Sequence, residues 1–334
     1  MEQAATVNVS GVANSRWSSP VVRSAALEIV CVTAVALLPL AKLGHNGVRL
    51  AFVTLVWVTA SLGWNLIGGF AGQVSFGFAV FYGLGAYTTA IVYSQGGLNR
   101  FMAILAGALV AMAASFLIGL PTFRLKGPYF AIATIGVSET TRVVMTNLEI
   151  TGGASGYRMV ERGAFNQLVH FYVALTIAAM AVAVTIWIRH SKLGLALLAI
   201  REDQEAASDL GVNPFRCKLL AHAVGAALTG AAGGAFVGYA AFIYPQGVFG
   251  FDISVAILLM PIIGGVGTVW GPVVGAVVYG LVNEELFASF PQLHLLLYGS
   301  LLIIIILFEP GGVLGMVDRV VRLFRRRSSI ASHS

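Results

Sequence analysis

Apolar runs of roughly twenty residues recur along the chain, separated by short polar or glycine-rich stretches. They lack the strict alternation of barrel strands, and each is long enough to cross a bilayer as a helix. Lipid offers no hydrogen-bond partners, so every backbone group in a crossing segment must bond within its own helix. The pattern predicts spans at 25–40, 48–66, a third that follows a glycine-rich stretch and reaches about Tyr93, then 101–120, one opened by Pro128, 168–188, 219–239 and 293–308. Two apolar pieces, 252–263 and 273–282, are too short to cross singly and read together as a broken or re-entrant helical pair. The expected fold is an all-α polytopic membrane protein, a bundle of about eight full spans plus that pair. Residues 1–24 form an N-terminal tail, 25–312 the membrane domain and 313–334 a basic tail.

Composition sharpens this picture. The chain is 58% hydrophobic and 10% charged, with mean hydropathy +0.87 and 39 glycines, which suits helices packed closely in lipid. Two cysteines, Cys31 and Cys217, offer no disulfide framework or thiolate cluster. The net charge of +6 gathers at the N-terminus, in a central loop and at the C-terminus. By the positive-inside rule these three regions are cytoplasmic, and the loop containing TGGASG (151–156) is outside. The basic tail would meet anionic lipid headgroups rather than nucleic acid. No Walker A loop is present, since none of Lys42, Lys126, Lys192 and Lys218 follows a glycine. The six histidines show no metal-ligand spacing, and no nucleophile–base pair stands out, so the pattern predicts no metal, no cofactor and no catalysis by this chain.

The longest polar interruption is the central loop, 190–218. Within it, 199–210 reads as one short helix with acids in its early turns, ended by Gly211 in a left-handed position and by Pro214. Arg201, Glu202, Glu205 and Asp209 would form a charged face around two small residues, Ala206 and Ala207, where another protein's backbone could approach. The residues alone leave open whether this helix docks a partner or merely joins two spans.

Two glycine breaks resemble each other: GGFAGQVSFG from Gly68 and GGVGTVWG from Gly264. Gly68, Gly69 and Gly72 in the first, and Gly264, Gly265 and Gly267 in the second, mark irregular backbone, which membrane interiors tolerate where it is buried in protein or lines a wet cavity. Gln73, Ser75, Thr134 and Ser138 are the polar groups expected to border a translocation path; the competing reading is interhelical bonding that only holds the bundle. Glu139 and Arg142, three apart on one helix, form either a self-compensated pair or a polar element of the path.

Four pieces in order carry a family resemblance: SLGWNLIGGFAGQVSFG (61–77); GPYFAIATIGVSETTR (127–142) with TGGASG; SKLGLALLAIREDQEAASDLGVN (191–213); and GGVGTVWGPVVGA (264–276) with the closing FEPGG. The chain resembles the LivM type of permease subunit in branched-chain amino acid ABC importers. The resemblance implies a membrane subunit in the bacterial inner membrane that pairs with a second, related permease. It would receive branched-chain amino acids, or related solutes such as urea, amides or small organic acids, from a periplasmic binding protein. Two separate ATPase subunits, which hold ATP and Mg, would drive the importer, and Glu205, Ala206, Ala207 and Gly211 correspond to the family's docking element for the ATPase subunit. Leu195 and Leu198 stand where that family usually has basic residues, and Phe78 where it commonly has His. An ion-coupled secondary transporter, the rival class, would need ionisable groups deep in the bundle, and apart from Glu139 and Arg142 the candidates sit near span ends.

Overall fold

The computed structural model describes residues 44–125, 127–160, 165–289 and, beyond these, 299–300, 303, 307, 311–316 and 319. The expected tail at 1–24, the span at 25–40, Cys31, Lys126, nearly all of the span at 293–308 and most of the basic tail lie outside the described residues.

The long helices are α1 (His45–Ile67), α2 (Phe78–Gly96), α3 (Arg100–Thr122), α4 (Pro128–Asn147) and α5 (Gln167–Arg189). Two short helices follow, α6 (Lys192–Glu202) and α7 (Gln204–Asp209). Then come α8 (Pro214–Ala240), α9 (Pro245–Phe249), α10 (Phe251–Gly264) and α11 (Gly271–Ser289). Side chains fix several starts. Asn99, Asn166, Ser191 and Asn213 each accept a bond from a free N–H of the helix that follows, and Pro occupies the first turn of α4, α8 and α9.

Among the described residues, five helical segments are long and apolar enough to cross a membrane: α1, α3, α5, α8 and the α9–α10 segment Pro245–Gly264. The last contains the piece 252–263 that by itself is too short to cross. The turn α9, opened by Pro245, precedes that piece across a non-helical Gly250, and the two together reach 20 residues. Its partner α11 also exceeds expectation, with Glu284 and Glu285 on the helix rather than beyond it. One small departure from an all-α chain is an antiparallel pair of two-residue strands, β1 (Tyr157–Arg158) and β2 (Phe242–Ile243), where two loops run side by side.

The bundle centres on α8, which packs against α1, α2 and α3. Glycines make these approaches possible. Gly225 lies on Gly63 of α1, Gly230 lies between Gly85 of α2 and Gly107 of α3, and Gly233 touches the Tyr82 carbonyl. Since lipid tails are as apolar as the side chains they would replace, close van der Waals packing of this kind is what holds spans together. Aromatic pairs fill the wider gaps, among them Phe52 on Tyr239 at 4.6 Å and Trp57 on Tyr82 at 6.0 Å between centroids. α10 and α11 form a tight hairpin against α1, with Gly264 and Gly275 in backbone contact across it. The alternating helix directions gather both glycine breaks, α6 and α7 at one end of the bundle and the β1–β2 pair at the other.

Candidate functional site

The central loop is two helices, not one. Asp203 interrupts the expected helix: its backbone is extended, and its side chain accepts from the N–H groups of Glu205 (2.8 Å) and Ala206 (3.0 Å) to start α7. The same N–H groups, Ala206 foremost, hold the Asp203 carboxyl below its usual range. Arg201 and Glu202 therefore end α6, while Glu205, Ala206, Ala207 and Asp209 belong to α7. The stop at Gly211 is a Schellman motif: Val212 N–H donates to Ala207 O at 3.1 Å and Gly211 N–H to Ser208 O at 2.9 Å. Gly211 has φ +88°, and open space surrounds the position of a missing Cβ, so backbone conformation alone demands glycine.

The outer face of α7 exposes Glu205, Ala206, Ser208 and Asp209. Ala207 faces inward and is buried, against the expectation that both alanines lie uncovered; it turns away from Ala206 by the helix's angular step. Leu210, which the sequence reading passed over, is 85% exposed at the tip. A large apolar side chain directly before Gly211, with no other large apolar residue between Arg201 and Asp209, was the available signal.

Arg201 does not point outward with the acids. Its Nη1 donates to Gly69 O in the first glycine break at 2.8 Å, its stem lies against Gly72, and a Cβ on Gly267 in the second break would strike its guanidinium. The two breaks, about 200 residues apart in sequence, thus meet around one side chain. Asn65, fully buried at the end of α1, clamps them further. Its Nδ2 donates to Thr268 O at 2.8 Å and its Oδ1 accepts from Gly267 N at 3.0 Å. Arg189, the last residue of α5, donates to Gly267 O at 3.1 Å. Of the six break glycines, Gly72, Gly265 and Gly267 have positive φ, whereas Gly68, Gly69 and Gly264 still carry or end the preceding helices. The GG of FEPGG closes on this joint, with Gly312 against Gly265.

Sequence reasoning missed Asn65 and Arg189. A buried Asn in an apolar helix end and a basic residue closing a span were both visible, but nothing local indicates what they reach.

The four proposed path residues separate into two kinds. Ser75 and Thr134 are spent on the joint: Phe76 N donates to Thr134 Oγ1 at 3.0 Å, Gly77 N to Ser75 Oγ at 3.3 Å, and Trp64 Nε1 to Ser75 O at 2.7 Å. Gln73 Oε1 and Ser138 Oγ, both buried, have no hydrogen-bond partner. Gln73 lines a cavity of about 610 Å³ enclosed by the first break, the start of α4, α6–α7 and Lys218. Phe78 is core, edge-on to His222 at 5.6 Å. At the far end, Arg142 is paired with Glu139 and donates to Gln246 Oε1 of α9 at 2.7 Å.

Comparison with known proteins finds relatives among membrane permeases. The LivM permease protein of Escherichia coli K12 is 31% identical over 324 residues, covering 86% of this chain and 76% of that protein. Its Salmonella typhimurium counterpart is 30% identical over 309 residues, covering 84% and 72%. The LivH permease protein of Salmonella typhimurium is 33% identical over 143 residues, 42% of this chain and 45% of that one. No solved structure matches significantly. The sequence model described as "branched-chain amino acid transport system / permease component" matches residues 46–306, and the chain, a multi-pass membrane protein, belongs to that family.

Proposed function

We propose that the chain is one membrane-spanning subunit of an ATP-driven importer in the bacterial inner membrane, with both termini and the central loop cytoplasmic. It pairs with a second, related permease and takes branched-chain amino acids, or similar small polar solutes, from a periplasmic binding protein. Two ATPase subunits drive the pair of permeases, and one of them docks on α7 of this chain, with Glu205, Ala206, Asp209 and Leu210 as the contact face and Arg201 and Glu202 at its root. The family and the E. coli and Salmonella relatives, named as high-affinity branched-chain amino acid permeases, support the substrate class.

The observation that carries the mechanism is the Arg201 bond to Gly69 O, because it connects the exposed loop directly to the joint where both helix breaks meet. A motion of α7 imposed by ATPase closure would pass through the short α6 to Arg201, and from there to the turns at Gly72 and Gly267. Those turns have φ of +69° and +76° and join helices that pack as rigid rods, so small rotations there reorient α1–α2 and α10–α11. Gln73 would border the path at the cytoplasmic mouth. Ser75 and Thr134 hold the joint.

Reconstitution tests the reading. The chain, its paired permease, the ATPases and the binding protein in proteoliposomes should accumulate leucine only with internal ATP. Uptake driven instead by an imposed proton or sodium gradient, without ATP, would assign it to the secondary transporters.

A further inference from the structure

α7 is thinly attached to the rest of the chain. Ala207 is its one buried residue, and a cavity lies on either side of it. The larger, of about 610 Å³, separates α7 from the first glycine break and the start of α4. The other, of about 500 Å³, separates it from Phe123 at the end of α3 and from the first turn of α8. A displacement of α7 crosses such gaps only where atoms touch. Gln204, Glu205 and Lys218 line both cavities, so the bridge between α7 and the bundle stands among these residues.

The bridge is a hydrogen bond between two helices. Lys218, in the second turn of α8, is buried, and its Nζ donates to Oε1 of Gln204, the first residue of α7, at 2.5 Å. Taking an ammonium out of water is costly unless it is bonded, so the lysine holds to this partner when α7 moves. Arg201, three residues before Gln204 and across the Asp203 turn, makes the bond to Gly69 O. The corner between α6 and α7 is thus tied in two directions, to the glycine breaks by Arg201 and to α8 by Gln204. α8 is built to carry a displacement. It is helical from Pro214 to Ala240, with no proline past its first turn. At Gly225, Gly230 and Gly233 the nearest atoms are backbone of Gly63, Gly107 and Tyr82 and the methyl of Ala111, so no large side chains interlock at these crossings. His222, between Lys218 and Gly225, meets the rings of Phe78, Phe81 and Phe123 edge-on, with no hydrogen bond to break. Helices that meet this way can slide in small shear steps.

We infer that Lys218 is a positioning residue for energy coupling. Through Gln204 it ties the docking helix α7 to α8, so that a displacement of α7 shifts α8 along its glycine contacts while Arg201 acts on the joint. Lys218 supplies the donor of this link and Gln204 the acceptor, and both face cavities that leave the corner room to move. The inference rests on the importer reading given above and adds a second route from the ATPase to the spans.

The test uses the complete importer in proteoliposomes, with leucine as the probe and with bound ATPase, uptake and hydrolysis measured on the same preparation. Lys218→Met keeps the stem and removes the donor, and Gln204→Met removes the acceptor from the other side. Each should lower leucine transported per ATP hydrolysed by roughly fivefold or more with the ATPase still bound. The double variant should fall no further than the lower single one, because both changes break one link. Lys218→Arg and Gln204→Glu, which keep a donor and an acceptor, should stay within about twofold of wild type. Combining Lys218→Met with Arg201→Met should multiply the two losses, since the routes are separate. A ratio within about twofold of wild type in both Met variants, a loss that follows bound ATPase, or a combined loss no larger than that of Arg201→Met alone would each overturn the inference. Where Lys218→Met is not recovered as an assembled complex, Gln204→Met, made on the partly exposed α7, decides alone. Absence of ATP-dependent leucine uptake by the unaltered complex would overturn the importer reading and this inference with it, whereas unchanged ratios in a working importer remove the inference alone.

Discussion

Replacing Arg201 with Met keeps most of the side-chain stem that packs on Gly72 and removes the donor to Gly69 O. A hydrogen bond from a charged donor contributes about 1.5–3 kcal/mol, and the exposed setting of Arg201 argues for the lower end. If that bond transmits the motion of α7 to the glycine joint, its loss removes about 1.5 kcal/mol of coupling, or roughly tenfold in leucine transported per ATP hydrolysed. The docking face on α7 is untouched, so the ATPases should still bind and hydrolyse. The assay measures uptake and hydrolysis on the same proteoliposomes. Arg201→Lys, which offers a point charge without the planar fork, should fall between wild type and Met. An unchanged transport-to-hydrolysis ratio in Arg201→Met would refute the reasoning, as would a parallel fall in both with loss of bound ATPase, since that would make Arg201 a docking residue only.

Gly211→Val forces a β-branched residue to φ +88° and should weaken the α7 stop by about 1–2 kcal/mol or more. The permease should reach the membrane normally yet lose co-purifying ATPase, and Leu210→Glu should do the same by removing the one apolar group at the tip; quantitative pull-down checks both. Asn65→Ala deletes two part-buried hydrogen bonds and leaves the Gly267 N–H and Thr268 carbonyl without that partner, at about 1 kcal/mol for each, so the melting temperature of the detergent-purified importer should fall. Thr134→Val should lower membrane abundance and uptake together, because it unties Phe76 N, while Gln73→Leu should lower uptake at constant abundance.

Much of the bundle could be read from the sequence because caps and prolines mark it. Asn99, Asn166, Asn213 and Pro128 sit at or beside the ends of apolar runs, and the helices begin within a few residues of where those signals place them. The division of the central loop at Asp203 was not legible. Glu202, Gln204, Glu205, Ala206 and Ala207 are good helix formers that mask a break between them, and the capping of α7 by the Asp203 side chain ends α6. Nor could Ala206 be told from Ala207, since which side of a short helix faces the bundle is decided by tertiary packing. The resemblance of the two glycine breaks was visible, but their contact was not. It depends on Asn65, Arg189 and Arg201, whose partners are distant in sequence and are backbone atoms, which leave no residue signature. The apolar piece at 252–263 reads as short because the non-helical Gly250 separates it from the turn α9 that precedes it.

The central claim is that α7 is where ATP hydrolysis enters this subunit. A single cysteine tests it directly: Ser208→Cys, on the exposed face of α7, in a chain carrying Cys31→Ser and Cys217→Ser, assembled with the complete importer. With a short bifunctional cross-linker, the account predicts a nucleotide-sensitive adduct between this position and an ATPase subunit, and no labelling of the cysteine by impermeant reagents added to intact cells. Labelling from outside, or no adduct in an importer that is assembled and active, would contradict it.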